Sequence, residues 1–410
     1  MKYDVIVIGM GLSGLMAAKT AAEMGKRVLI LGKGMGGLPV FSNTVDLLGI
    51  LPPNVKMRDG LAQWIEEHPE HPYGKSGLEG IEEALSSFSS FFPPPYAFQS
   101  RNDSNSLVPT GAGTLRPTYL IPSTMMKGVS LTGKKILIFG FEGHKDFYAR
   151  RLSDALRCRG ITLSSPGNSG AEINAIGLAR WMEQPSFRET LCTEMKKQIQ
   201  DETVIGLPAV LGINDPMAVR KDFEKRTGAS LFEIPVLPPS IPGMRVFNRF
   251  KAKLLERGVT FLSGRSASKV LVKGKRCEGV EVFHPPVTNV HAADQYILAT
   301  GRFIGGGLKA EREKISEPLF GLPVSQPSSR REWFGRTFFG DRSHSVHRVG
   351  LLVDSAFRPV DERGEIVLEN VRAVGTILAN HSWIDEKSRE GIEIATGHAA
   401  AKMASGGASK

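Results

Sequence analysis

The sequence has little cysteine. Its 410 residues include only Cys158, Cys192 and Cys277, and no two of them have the CxxC or CxH spacing of a metal or cluster site. This spacing argues against an iron–sulfur cluster or a zinc site in this chain. An odd number of cysteines is typical of a reducing compartment, so a cytoplasmic location is expected.

Long hydrophobic runs are also missing. No apolar stretch reaches the roughly 18 residues that cross a membrane. The apolar N-terminal stretch, residues 5–18, follows Asp4 and contains three glycines, which is unlike the apolar region of a signal peptide. We therefore expect any membrane contact to be peripheral or through a partner protein.

There is no long run of charge of one sign. Lys and Arg number 52 against 42 Asp and Glu, so the formal net charge is +10, but these residues are spread along the chain. The pattern does not indicate a basic arm for nucleic acid. It is typical of a solvated basic surface, with docking to acidic protein or anionic lipid as the alternative.

The N-terminal thirty or so residues carry the motif around which the chain is organised. Residues 2–8 have the composition of a buried parallel strand, residues 15–24 that of a helix and residues 27–31 that of a second strand. Between the first strand and the helix lies Gly9-Met10-Gly11-Leu12-Ser13-Gly14, with GxGxxG spacing. This order predicts a dinucleotide-binding βαβ unit.

Each glycine of this turn has a physical task. Gly9 permits the tight turn, Gly11 lets a pyrophosphate approach the backbone, and Gly14 lets the helix pack closely on the sheet. The free N–H groups at the start of the helix then face the phosphates. The cofactor-binding residues predicted here are Gly9, Gly11, Leu12, Ser13 and Gly14.

One expected residue is absent. The second strand of such units normally ends in Asp or Glu, which accepts hydrogen bonds from the adenosine ribose. Here Gly32 stands at that place and Lys33 follows. A lysine can pair with a phosphate but cannot accept from a hydroxyl. Ordinary adenine-dinucleotide binding is therefore weakened, and either FMN or an unusually held FAD becomes possible. Lys33 is a predicted cofactor contact.

Three further segments are predicted to reach the cofactor. The loop after the second strand offers small hydroxyl side chains, the Ala299-Thr300-Gly301 strand end brings backbone close to the nucleotide, and the strand 370–376 ends near the start of a helix at 391–403. The residues predicted from these segments are Ser42, Thr44, Thr300, Gly301, Gly375 and Thr376. The loop 110–118, with Arg116, suits either an anion or an ordinary turn.

The order of elements predicts an α/β fold, a two-segment Rossmann-like flavoprotein domain of the FAD/NAD(P)-binding type with an inserted α/β domain. Strands at 135–140, 161–163, 203–208 and 231–236 form the insertion. The expected boundaries are 1–132 and 238–410 for the flavin-binding domain, with capping elements at about 50–132 and 310–345, and 133–237 for the inserted domain.

A set of short motifs, taken in order, is similar to the B subunit of the anaerobic glycerol-3-phosphate dehydrogenase over residues 1–402. Besides the GxGxxG turn, these motifs are Phe41-Ser42-Asn43-Thr44-Val45-Asp46-Leu47-Leu48, His71-Pro72-Tyr73, Gly113-Thr114-Leu115-Arg116, Leu237-Pro238-Pro239-Ser240, Ala299-Thr300-Gly301, Gly305-Gly306-Gly307-Leu308 and Arg358-Pro359. The Pro-Pro-Ser and Gly-Thr-Leu-Arg elements are more specific than the glycine turn.

The resemblance implies a function and partners. The family's enzyme oxidises sn-glycerol 3-phosphate to dihydroxyacetone phosphate and passes electrons to quinone. The A subunit carries FAD, the C subunit is a membrane-bound iron–sulfur protein, and the B subunit is described with FMN. The resemblance therefore implies a place at the inner face of the cytoplasmic membrane. The polar segment 379–388 departs from the family's glycine-rich pattern.

Two other functions stay open, and the catalytic residues stay unassigned. One alternative is a stand-alone FAD oxidoreductase for another small hydroxy or amino acid; the other is a non-catalytic scaffold protein of the complex. His381 and His398 lie in the terminal region, but a lone histidine is more often structural. Residues 68–73, interrupted by two prolines, are expected to form a surface turn.

Overall fold

The structure, a computed structural model, describes residues 2–42, 44–165, 171–284, 287–337 and 343–406. Asn43 of the Phe41–Leu48 motif and the end of the C-terminal tail lie outside these residues. The strands are β1 Tyr3–Ile8, β2 Val28–Gly32, β3 Phe98–Gln99, β4 Ser106–Pro109, β5 Leu115–Thr118, β6 Ile121–Pro122, β7 Ile136–Phe141, β8 Arg159–Leu163, β9 Val204–Pro208, β10 Ser230–Ile234, β11 Thr260–Ser263, β12 Ala267–Lys273, β13 Arg276–His284, β14 Val287–His291, β15 Ala293–Leu298, β16 Lys309–Ala310, β17 Ile315–Ser316 and β18 Val371–Ala373.

The helices lie between groups of these strands and at the end of the described chain. They are α1 Leu12–Glu23, α2 Met57–Glu67, α3 Pro72–Ser76, α4 Leu78–Ser89, α5 Ala149–Leu156, α6 Ala175–Met182, α7 Pro185–Gln198, α8 Pro216–Thr227, α9 Ile241–Glu256, α10 Trp383–Glu386 and α11 Arg389–Gly406. No helix in the described part of the chain combines the length and the apolar character that crossing a bilayer requires.

The first sheet has five parallel strands in the order β11-β2-β1-β15-β18. Val5 pairs with Val28 on one side and with Gln295 on the other. The strand order therefore reverses between β1 and β15. In open parallel sheets a ligand binds at the carboxyl ends of the strands at such a switch point.

Two helices cover one part of this sheet. α1 and α11 pack closely together, and every residue from Leu12 to Ala21 is buried. A Cβ atom at Gly397 of α11 would overlap the Ser13 carbonyl oxygen and would lie 3.2 Å from the Cβ of Met16. The close approach of the two helices therefore depends on this glycine.

The second sheet has four parallel strands in the order β10-β9-β7-β8. Its strands are short apolar runs, and β7 and β9 are buried along their whole length. They form at the places that the sequence predicts for the insertion, within one or two residues. Helices α6, α7 and α8 contribute to the main core of this sheet.

A buried ion pair connects the second sheet to α9. Arg245 donates to Glu233 at 2.6 and 2.8 Å, and its Nε donates to the Gly212 carbonyl oxygen at 2.8 Å. Both side chains are almost fully buried. The Glu233 carboxylate also accepts from the Leu211 N–H at 2.8 Å. This bonding pattern fixes α9 at the point where the chain returns to the first sheet.

Smaller elements complete the fold. Strands β12, β13 and β14 form an antiparallel meander, and residues 269–273, 279–283 and 289–293 have the alternating pattern that predicts one. The pairs β3–β6, β4–β5 and β16–β17 are short antiparallel ladders. The last strand, β18, ends at Ala373, and a 3₁₀ turn at Gly375–Ile377 replaces the rest of the predicted strand 370–376.

The close packing of α1 and α11 makes a testable prediction. Gly397→Ala should lower the free energy of unfolding by about 1–3 kcal/mol, because the added methyl group meets the α1 backbone. Gly80→Ala in α4 is the matched control, since its Cβ meets nothing within 4 Å. The control should raise the free energy of unfolding by about 0.5–1 kcal/mol. Urea unfolding measures both, and equal stabilisation by the two changes would contradict the close packing.

Candidate functional site

The glycine turn adopts the conformation that its spacing predicts. Gly9 has φ +121°, a backbone conformation that L side chains rarely adopt, and a Cβ there would overlap the Ala299 carbonyl oxygen. A Cβ at Gly14 would overlap the Gly9 carbonyl oxygen. The turn is therefore closed on one side by the end of β15 and on the other by the first turn of α1.

Among the residues that the structure describes, no side-chain hydrogen bond caps the start of α1. Gly11 is the N-cap residue in extended conformation and provides no side-chain hydrogen bond. The next residues, Leu12 and Ser13, are buried. The first N–H groups of a helix have no partner within the helix, so an uncapped start suits a phosphate oxygen. Gly36 of the following loop lies close by, with its Cα 3.7 Å from where a Cβ of Gly11 would be.

The segment after β15 forms the opposite wall. A Cβ at Gly301 would lie 3.6 Å from Thr376 Oγ1 and 3.8 Å from the Cα of Gly305, so the loop folds back over the strand end. The Oγ1 of Thr300 is buried and has no hydrogen-bond partner among the described residues. Buried polar atoms are usually paired, so this hydroxyl is available to a ligand.

The C-terminal segment lies against the start of α1. Gly375 has φ +79°, and a Cβ there would lie 2.5 Å from Ser13 Oγ. Its N–H donates to Thr396 Oγ1 at 2.9 Å. The structure thus brings together nine of the predicted residues, namely Gly9, Gly11, Leu12, Ser13, Gly14, Thr300, Gly301, Gly375 and Thr376. We call this set the glycine cradle.

The end of β2 lacks an acceptor, as the sequence indicates. Gly32 pairs in register with Ser263 of β11, and a Cβ at Gly32 would lie 3.0 Å from the Met10 nitrogen and 3.1 Å from its Cγ. Met10 therefore packs where a longer side chain would begin. Lys33 is exposed, and its side chain has no hydrogen bond or ion pair among the described residues.

Of the loop hydroxyls, Thr44 is turned into the protein. Thr44 is fully buried, and its Oγ1 lies 3.2 Å from Ser42 Oγ and 3.4 Å from Asp46 Oδ1. Asp46 also accepts from Arg116 Nε at 2.9 Å and from its Nη2. Arg116 therefore neutralises a carboxylate of the protein itself, which argues against the free anion site that loop 110–118 could have formed.

The first turn of α11 carries buried charges. Arg389 donates to Glu390 at 2.6 Å, and its Nη2 lies 3.2 Å from Glu393 Oε2. The guanidinium carbon of Arg389 stands 3.6 Å from the centre of the Phe41 ring. Burial raises the pKa of Glu393 to about 7; Arg389 opposes that rise and Glu390 adds to it. We call Arg389, Glu390 and Glu393 the α11 charge cluster.

A second buried pair joins His71 to Glu386. The His71 Nδ1 accepts from the Tyr73 N–H at 3.1 Å, so its Nε2 carries the proton and donates to Glu386 at 3.1 Å. Burial acts to raise the pKa of Glu386, but the hydrogen bonds from His71, the Ser382 N–H and Ser388 Oγ hold it below its ordinary value. The predicted surface turn at 68–73 is wrong for His71 and Tyr73, which are both buried.

Arg302 connects the strand end to this region. Its Nη2 donates to the Leu378 carbonyl oxygen at 2.9 Å and lies 3.1 Å from His381 Nε2, and its Nη1 donates to the His347 carbonyl oxygen. Burial lowers the pKa of Arg302 to about 10. Burial, Arg302 and His71 together lower the pKa of His381 well below its ordinary value, so His381 is neutral at neutral pH.

Sequence reasoning missed these charged groups. The predicted helix 391–403 leaves out Arg389 and Glu390, whereas the helix begins at Arg389. An acidic residue in the first turn, here Glu390, is a helix-start signal that could have corrected this. No local signal could have paired His71 with Glu386, which lies 315 residues away in the chain.

The residues present fit a phosphorylated flavin at the glycine cradle. A positive-φ glycine, an uncapped helix start and an unpaired Thr300 hydroxyl offer donors to phosphate or sugar oxygens. The end of β2 fits an adenosine ribose poorly, since Gly32 gives no acceptor. Among the described residues, no group of three or more His, Cys, Asp or Glu side chains is placed to hold a metal ion.

Comparison with known proteins shows the family to which the chain belongs. Residues 4–387 match the FAD binding domain family. A relative from Halobacterium salinarum, named as the probable B subunit of anaerobic glycerol-3-phosphate dehydrogenase, is 31% identical over 98% of this chain and 97% of its own length. This chain belongs to the same family. The predicted family and fold class, a flavoprotein with parallel sheets, are therefore confirmed.

Other relatives with the same name also match this chain over nearly their full length. The protein from Vibrio vulnificus is 28% identical over 99% of this chain and 97% of its own. Among solved structures, 3-ketosteroid Δ1-dehydrogenase from Sterolibacterium denitrificans has a TM-score of 0.48 at 12% identity and covers 99% of both chains. A flavocytochrome c3 fumarate reductase has a TM-score of 0.46 at 9% identity, over 99% of this chain and 78% of that chain.

The Glu386 carboxylate should stabilise the site in a pH-dependent way. Its folded-state pKa is depressed, so its contribution is present above the ordinary value of 4.5 and is lost as the pH falls through the lowered pKa. Glu386→Gln should cost about 1–3 kcal/mol at neutral pH, because charged hydrogen bonds are lost.

Urea unfolding at about pH 7 and about pH 4 measures this difference. The matched control is Glu66→Gln, an exposed residue of α2, which should change stability little at either pH. A cost for Glu386→Gln that stays the same at both pH values would contradict an ionised, stabilising Glu386.

Proposed function

We propose that this chain is the B subunit of a membrane-associated, quinone-linked anaerobic glycerol-3-phosphate dehydrogenase and carries a flavin there. The complex would convert sn-glycerol 3-phosphate to dihydroxyacetone phosphate. The observation that carries the proposal is the glycine cradle, with its uncapped helix start and unpaired Thr300 hydroxyl, in a chain whose relatives bear that name. A bound flavin accepts a hydride and can pass electrons on singly.

The proposal extends to partners and to the organisation of the chain. An FAD-containing A subunit and a membrane-bound iron–sulfur C subunit would complete the complex at the inner face of the cytoplasmic membrane. We also propose that residues 133–237 form an inserted domain within a flavin-binding domain of 1–132 and 238–410. The separate four-stranded sheet supports this division.

The chain's own residues would bind and orient the cofactor. The first N–H groups of α1 would hold a phosphate, and Thr300, Gly301 and Thr376 would border the nucleotide from the opposite side. Lys33 would pair with a phosphate from the edge of the site. Ser42 and Thr44 remain proposed contacts, although in this structure Thr44 directs its hydroxyl to Ser42 and Asp46.

We propose FMN as the resident flavin, with FAD as the alternative. Gly32 supports FMN, because FMN has no adenosine ribose that needs an acceptor. The domain family supports a flavin and includes FAD in its name. The stand-alone oxidoreductase would show itself by activity of the isolated chain with an artificial acceptor, and the scaffold by a folded, colourless protein.

Flavin identity is the first measurement. The purified chain should show a flavin absorption spectrum, and heat should release FMN, as chromatography would show. No flavin, even after incubation with both FMN and FAD, would contradict the redox role and leave the scaffold. With the A and C subunits added, glycerol 3-phosphate should bleach the flavin spectrum.

Restoring the missing acceptor should change the preference between the two flavins. Gly32→Glu is combined with Met10→Ala, which removes the Met10 Cγ that would lie 3.1 Å from the new Cβ. The double variant should bind FAD about tenfold more tightly and FMN with unchanged affinity, because the new carboxylate accepts from the ribose. Met10→Ala alone is the control. An unchanged FAD affinity in the double variant would show that another group already holds the ribose.

A further inference from the structure

The α11 charge cluster has three polar atoms that lack a hydrogen-bond partner among the described residues. They are Arg389 Nη2, Glu390 Oε2 and Glu393 Oε2. The exposed fractions of these residues are 4%, 1% and 8%. Arg389 Nη2 and Glu393 Oε2 form an ion pair with each other at 3.2 Å that lacks hydrogen-bond alignment, and Glu390 Oε2 has no partner in the described part of the chain. The hydrogen-bonding capacity of the cluster is therefore incompletely satisfied, which leaves room for a bond to a further group.

This cluster forms part of the wall of the glycine cradle. A Cβ at Gly37 would lie 2.6 Å from Arg389 Nη2. Gly37 follows Gly36, the loop residue that lies close to Gly11. A Cβ at Gly375 would lie 3.8 Å from the Cγ of Glu393 and 2.5 Å from Ser13 Oγ. A ligand in the cradle therefore meets this cluster.

The charges near the cluster do not balance when all are ionised. Asp46 and Arg116 lie beside it, so three carboxylates share two guanidinium groups. Burial raises the pKa of Glu393 to about 7. Burial also raises the pKa of Asp46 to about 6, with Glu390 adding to the rise and Arg116 opposing it. One surplus negative charge is thus buried at alkaline pH.

The neighbouring elements offer no other compensating cation to Glu393 among the described residues. From α3, Tyr73 faces the carboxylates, and burial raises its pKa well above the ordinary value, so its hydroxyl is neutral. From α1 and the 375–377 segment come Ser13 and Thr376, which do not titrate in this range. Arg389 is therefore the cation that favours the ionised form of Glu393 against burial and the charge of Glu390.

We propose that a flavin bound in the cradle engages Arg389 Nη2 with a carbonyl or phosphate oxygen, and that Glu393 takes up one proton in exchange. The inference rests on the proposed flavin site. Once the ligand oxygen shares Arg389, Glu393 loses part of its compensating charge and its ionised form becomes less favourable. The step adds a solvent proton to a carboxylate; no covalent bond to the ligand forms and no electron moves.

Calorimetry of flavin binding tests this exchange. The chain freed of flavin is titrated with FMN at about pH 7.5 in two buffers of different protonation enthalpy, which gives the number of protons taken up. We expect an uptake of about half to three quarters of a proton, since about a quarter of Glu393 is already protonated at this pH, and an affinity that falls up to about tenfold per pH unit above about pH 7. Riboflavin, which lacks the phosphate, distinguishes the two oxygens: proton uptake with riboflavin assigns the ring carbonyl, and uptake with FMN alone assigns the phosphate.

Variants assign the proton to a residue. Glu393→Gln should bind FMN without proton uptake, whereas Glu194→Gln, an exposed change on α7, should behave as the unaltered protein does. Binding of FMN by the unaltered protein with no uptake and no pH dependence would overturn the inference and leave the flavin site intact. Uptake that persists in Glu393→Gln would overturn the assignment to Glu393. Failure of the unaltered protein to bind any flavin would overturn the proposed function as well.

Discussion

The fold depends on the contact between the Gly9 turn and the carbonyl group of Ala299. At this place β1 ends, α1 begins and the end of β15 passes against the backbone, so no side chain can be accommodated. Because Gly9 has a positive φ, the chain turns sharply enough for α1 to lie back on the sheet. The switch point between β1 and β15, the uncapped helix start and the closing loop at Gly301 all follow from this turn.

The buried charges around the cradle fall into two kinds. Glu386 receives three hydrogen bonds and is held ionised, so its burial is fully compensated. The α11 charge cluster, a few residues further along the chain, leaves three atoms without a hydrogen-bond partner in the part of the chain that the structure describes. The two carboxylates therefore have pKa values shifted in opposite directions. Burial and the like charge of Glu390 outweigh Arg389 at Glu393, whereas the hydrogen bonds and the electrostatic attraction of His71 outweigh burial at Glu386. A bound ligand can supply hydrogen bonds that the α11 charge cluster lacks.

Some features were predictable because they are local. The GxGxxG turn, the apolar strands of both sheets and the antiparallel meander depend on residue order and periodicity over short stretches. The helix at the end of the chain was predicted from Gly391, two residues after its true start, and this small error concealed Arg389 and Glu390. Residues 68–73 were misjudged because the prolines indicate a turn but not its burial against α10 and α11.

The sequence by itself determined the βαβ unit, the family, and the replacement of the acidic residue expected at the end of β2 by Gly32. Each of these depends on neighbouring residues or on the order of motifs along the chain. The tertiary structure decided which charges meet. Arg116 could have bound a ligand, but folding places it on Asp46, 70 residues away in the chain. Likewise, only packing joins Glu386 to His71 and places Glu393 beside Ser13. Burial and pairing set the charge of a buried group, and both depend on contacts between distant segments that no local pattern specifies.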